Sequence, residues 1–93
     1  MRALSSSLLA ITLCLFASGC SGPVEQRTAC AEYVSCIAAR DGLRGSTTNV
    51  HRFEADGDCW GSPEGADLCE TSCVNGLAFL RDREQNLPEE CSP

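Results

Sequence analysis

Ninety-three residues with thirteen acidic and seven basic side chains carry a formal net charge of −6. A chain of this length holds a single domain, and so acidic a balance excludes a nucleic-acid-binding role, because phosphate backbones demand a basic surface. It also disfavours electrostatic docking on anionic lipid.

In chain order, residues 1–19 read as a bacterial signal peptide. Met1 and Arg2 form the positive start, residues 8–17 (LLAITLCLFA) the apolar core, and Ala17, Ser18 and Gly19 a run of small residues before Cys20. As a helix that core rises only ~15 Å, about half a hydrocarbon layer, which fits a processed leader better than a permanent span. The run Ala17-Ser18-Gly19-Cys20 resembles the lipobox of bacterial lipoproteins, with Ala17 where that family prefers leucine. The resemblance implies a diacylglycerol on the Cys20 thiol, cleavage just before Cys20, and acylation (palmitate, for example) of the new amine. Residues 20–23 are then a lipidated N-terminus and short tether, and residues 24–93 the folded domain. Ser21 after the lipid cysteine, rather than Asp, implies sorting to the outer membrane in a cell that has one.

Cysteine parity points the same way. Of eight cysteines, Cys14 leaves with the leader, so seven remain from Cys20 onward. An odd count in an exported protein asks for an explanation. If Cys20 becomes a thioether, Cys30, Cys36, Cys59, Cys69, Cys73 and Cys91 are left to form three disulfides. A chain this small, with few large apolar side chains, needs them.

The first helix is expected over about residues 24–41. Pro23 suits its start, Glu25 its positive N-terminus, and Asp41-Gly42 its stop. Cys30, Tyr33, Val34, Ile37 and Ala38 form one apolar stripe, while Glu25, Glu32 and Ser35 face water. Residues 43–61 read as a long irregular loop, with a helical turn or short strand near residues 50–53. The second helix is expected over about residues 63–86, with Ser62 as N-cap, Pro63 first, and Pro88 beyond its end. Cys69, Cys73, Gly76 and Leu80 share one face with Leu77 beside them, which makes Gly76 a close-approach position rather than a turn. The fold class is therefore a small all-α domain, a disulfide-stapled antiparallel helical hairpin with a long connecting loop.

Sequence leaves the disulfide connectivity open. In an antiparallel hairpin Cys36 lies level with Cys69 and Cys73, and Cys30 approaches Cys73 or Cys91. Cys59–Cys91 is the least comfortable pair, because a helix ~30 Å long separates them. At least one bridge must join Cys30 or Cys36 to Cys69 or Cys73. The stretches CAEYVSC, GDCW and LCETSCVNGLAFLR resemble small cysteine-rich predicted lipoproteins of myxobacterial type, a family with no established activity. That resemblance covers most of residues 30–83 and implies location and fold alone. The middle, TTNVHRFEADG, departs from the helical, aromatic-glycine stretch expected before CW.

No catalytic, metal or cofactor site is expected. Cys69 and Cys73 have the i, i+4 spacing of a thiolate metal pair, but export into an oxidising compartment makes them half-cystines. Glu54, Asp56 and Asp58 alternate like a calcium loop, yet Cys59 and Gly65 stand where an EF-hand needs Gly and Glu, so a solvated acidic turn is expected. His51, the only histidine, lacks a nucleophile motif and is expected at the surface of the loop. Trp60 and Phe53 are the candidates for contact with a partner, although Trp60 beside a half-cystine is expected foremost to pack over a disulfide. The function expected is that of a non-enzymatic, membrane-anchored envelope lipoprotein, an interaction or structural module for an unknown protein or envelope partner. The alternatives are a small inhibitor or toxin-like factor acting through the 43–61 loop and, less favoured, a metal-handling protein.

Overall fold

In the computed structural model, which describes residues 22–93, two helices carry the fold: α1, Thr28–Arg44, and α2, Pro63–Arg83. No strand occurs among the described residues. Short 3-10 turns at His51–Phe53, Asp58–Gly61 and Glu89–Cys91 complete the regular structure. Cys30–Cys73, Cys36–Cys91 and Cys59–Cys69 are disulfides. The domain is thus small, all-helical and stapled, with a long connection between its helices.

The direction of the helices differs from the hairpin expectation. Arg27, just before α1, pairs with Asp67 and Glu70 near the start of α2. One turn on, Cys30 bridges Cys73, and Tyr33 lies over Gly76, where an added Cβ would stand 2.7 Å from the ring. At the far end Arg40 and Arg44 pair with Glu84. Both residue numbers rise together along the interface, so α1 and α2 run side by side in the same direction. The Cys30–Cys73 bridge satisfies the expected cross-link between the helices. Cys36, however, pairs with Cys91 and not with Cys69 or Cys73, because the parallel register carries it past both.

A parallel pair requires the chain to travel back the length of α1, and residues 45–62 do so. Asp41 organises the departure. Its carboxylate accepts hydrogen bonds from the Thr48 amide at 2.7 Å and from the Ser46 and Thr48 hydroxyls, while its carbonyl accepts from Gly45 and Ser46 N–H. Gly45 takes the left-handed conformation (φ 67°) that ends α1, a role glycine fills without Cβ strain. α1 therefore runs through Gly42, the expected stop, to Arg44. Along the return path Val50 enters the core beside Ile37, Leu77 and Leu80, and Phe53 meets Tyr33 edge-on with centroids 5.6 Å apart. Trp60 then closes the other end of the core with Cys30, Cys59, Ala66, Cys69 and Cys73.

The start of α1 is also later than expected. Val24 donates its N–H to Trp60 O and packs against that Trp60 cluster, and the Gln26 amide donates to Phe53 O. These contacts hold residues 22–27 extended, so Pro23 lies outside the helix. Ser62 caps α2 as expected, accepting from Gly65 N–H. α2 ends at Arg83, short of residue 86, because Glu84 turns extended to reach the arginines and Asn86 reverses the chain at φ 60°. The tail folds back through Leu87 to Cys91, whose carbonyl accepts from Arg81 Nε at 2.6 Å. Of the stripe expected on α1, Cys30 and Ile37 are buried and Tyr33 and Val34 half-buried, but Ala38 is exposed; Cys36 and Asp41 face inward instead.

Two carboxylates tie the ends of this frame together. Glu84 receives Arg40 Nε and Nη2 at 2.7 Å each and Arg44 Nη2 at 2.9 Å, a fork geometry that favours its ionised form. Arg40, through its hydrogen bonds, holds Glu84 below its ordinary 4.5 against the opposing effect of burial. Burial pushes Asp41 upward, but the Thr48 and Ser46 hydrogen bonds and the Arg40 guanidinium together hold it below its ordinary 3.8. A carboxyl whose folded value is lowered adds stability above its unfolded value and loses it as pH falls to the folded one. Thermal melts with the disulfides intact should therefore show Tm falling as pH drops from about 5 through the carboxylate range. Glu84→Gln should lower Tm at neutral pH and flatten that acid slope.

Candidate functional site

Three surfaces bear on function: the N-terminal end where the chain enters the fold, the connecting segment, and the outer face of α2. Cys20, the expected lipidation site, lies outside the described residues. Among the described residues, Val24, held by Trp60 O, is the first pinned to the domain by a backbone hydrogen bond. The six cysteines from Cys30 to Cys91 all bond to one another, so none is left to pair with Cys20.

Trp60, offered by the sequence as a partner contact, points the wrong way for it. It is only 4% exposed, packs among the half-cystines of two bridges, and donates its indole N–H to Glu54 O at 2.7 Å. An aromatic ring beside a half-cystine fills core volume that a chain with few large apolar residues cannot fill otherwise. Phe53 is half-buried between Tyr33 and the Arg52 guanidinium, so one edge remains accessible. Leu68 and Phe79 on α2 face solvent, as do Val74 and Leu43. At helical spacing Leu68 and Phe79 fall on one flank of α2 and Val74 on the other. Arg83 covers part of Phe79, its guanidinium 5.0 Å from the ring centre.

The connecting segment brings together residues that sequence treated separately. The 3-10 turn His51–Phe53 sets His51 three residues before Glu54, and His51 Nδ1 lies 2.9 Å from Glu54 Oε1. Asp56 completes a cluster in which one donor atom from each residue lies within 4.8 Å of the others. Asn49, His51, Arg52, Asp56, Gly57 and Asp58 line an open concavity at this point. Gly57 makes the fold of the segment possible, because a Cβ there would collide with the carbonyls of His51 and Arg52. The hydrogen bond to Glu54, with Asp56 beyond, holds the His51 imidazole above its ordinary value. The alternation Glu54-x-Asp56 is visible in sequence, but read as an EF-hand it hides the His51-x-x-Glu54 pair that a single helical turn creates.

Among the described residues no helix is long and apolar enough to cross a membrane. Comparison with protein-family models, curated proteins and solved structures returns no match for this chain.

The buried position of Trp60 carries a measurable consequence. Truncating a fully packed aromatic costs about 3–5 kcal/mol, so Trp60→Ala should destabilise the native protein by that amount in denaturant melts. In the unmodified protein, Trp60 emission should resist quenching by acrylamide until the protein unfolds.

Proposed function

We propose that this chain is a non-enzymatic cell-envelope lipoprotein, an interaction or structural module anchored through an acylated Cys20. The observation that carries this reading is the closed set of bridges. Cys30–Cys73, Cys36–Cys91 and Cys59–Cys69 use every cysteine of the domain, which makes Cys20 the odd one in a chain cut before it. The leader and the small-small-Cys run of residues 17–20 supply the rest of the argument, together with the likeness to myxobacterial-type lipoproteins.

The non-enzymatic part rests on how the polar side chains are engaged. The Ser46 and Thr48 hydroxyls donate to Asp41, the Thr71 hydroxyl donates to Asp67 O, and His51 faces Glu54 rather than a hydroxyl. A nucleophile needs a base within hydrogen-bond reach. The exposed Leu68 and Phe79 on one flank of α2 offer instead apolar side chains for contact.

On this reading the anchor also orients the domain. From Cys20 to Val24 an extended chain spans at most ~14 Å, so the end bearing Trp60, Ser62 and the start of α2 lies against the membrane. The C-terminal ends of both helices, with Leu43, Arg44 and Arg83, then point away from it.

Mass spectrometry of the protein extracted from native membranes tests the reading. A mature chain beginning at Cys20 and bearing acyl mass is expected, and Cys20→Ser should accumulate as unprocessed precursor. A chain beginning at Cys20 without lipid, or beginning elsewhere, would overturn the anchor.

A further inference from the structure

His51, Glu54 and Asp56 are gathered at the surface of the connecting segment, where no packing need of the core requires them. We propose that these three residues bind a divalent cation of the zinc class, through His51 Nδ1 and one carboxylate oxygen each from Glu54 and Asp56.

Geometry is the first support. Two ligands of one zinc ion, each ~2.0–2.2 Å from the metal, lie within about 4 Å of one another. Donor atoms already gathered within 4.8 Å need only small side-chain rotations to close on an ion. His51 and Asp56 are exposed and Glu54 half-buried, so these rotations meet little resistance, and the concavity beside them leaves room for completing water ligands.

The backbone beneath the donors is held in place, which lowers the ordering cost of binding. Glu54 N–H donates to His51 O, Gly57 N–H and the Trp60 indole both donate to Glu54 O, and Asn49 Oδ1 accepts from His51 N–H. Trp60 in turn is locked among two disulfides.

Charge supplies the third argument. Arg52 Nε stands 3.8 Å from Asp58 Oδ1 and balances that carboxylate. Among the described residues Glu54 and Asp56 have only the imidazole of His51 between them, and a divalent ion would neutralise both. One imidazole and two carboxylates suit zinc or copper(II), whereas calcium seeks six to eight oxygens.

Zinc titrated into the native protein, disulfides intact, tests the site by calorimetry and by the His51 imidazole resonances. One ion per chain is expected, with those resonances shifting in step with the heat. His51→Ala and Asp56→Asn should each weaken binding by at least about tenfold, while Asp82→Asn on α2 leaves it unchanged. The exposed His51 makes no core contact, so its variant should keep the native circular dichroism and all three bridges. Absence of saturable binding up to millimolar zinc would overturn the proposal. So would binding that survives His51→Ala, the signature of ions scattered over surface carboxylates, or calcium binding as tightly as zinc.

Discussion

Two helices pointing the same way cannot be joined by a short turn, and most of this molecule follows from that constraint. α1 spans about 25 Å, so its chain needs roughly eight extended residues simply to return to the level where α2 begins. Residues 45–62 exceed that minimum and use the excess in two 3-10 turns. The return segment also supplies what the helices lack. Val50, Phe53 and Trp60 fill the groove between them, so the connection is as much a part of the core as either helix.

The parallel arrangement places both helix N-termini at one end and both C-termini at the other, and the charges suit it. Glu64 lies in the first turn of α2, Arg44 in the last turn of α1, and Arg81 and Arg83 in the last turn of α2, where Arg40 and Arg44 also meet Glu84. The bridges lock the same arrangement. Each is worth ~2–4 kcal/mol, of the order of a small domain's whole net stability, and more for longer closures. Cys36–Cys91, 55 residues apart, therefore restricts the unfolded chain most, and Cys59–Cys69, 10 apart, the least.

Much of the local structure was legible in the residues. Ser62 and Pro63 marked the start of α2, and the period through Cys69, Cys73 and Leu80 marked Gly76 as the place where Tyr33 comes close. What misled were signals with two local readings and one tertiary arbiter. Pro23 suits a helix start, but Val24 is needed by Trp60. Asp41-Gly42 suits a helix stop, but Asp41 is needed to receive Ser46 and Thr48, so the stop passes to Gly45. Helix direction has no local signature at all. The length of the 43–61 loop was the one clue, and a hairpin has no use for so long a connection. The His51, Glu54 and Asp56 cluster was hidden for a related reason: its members lie close in sequence, but only the 3-10 turn and the tight passage at Gly57 aim them together.

The parallel register of the two helices is tested directly by a disulfide map of the native protein. Cleavage after Glu32, Glu64 and Glu70 and after the arginines, without reduction, separates all six cysteines of the domain onto different peptides. The parallel fold predicts three linked pairs: Cys30 with Cys73, Cys36 with Cys91, and Cys59 with Cys69. Recovery of Cys36 linked to Cys69 or Cys73 would contradict it, because that pairing belongs to an antiparallel hairpin.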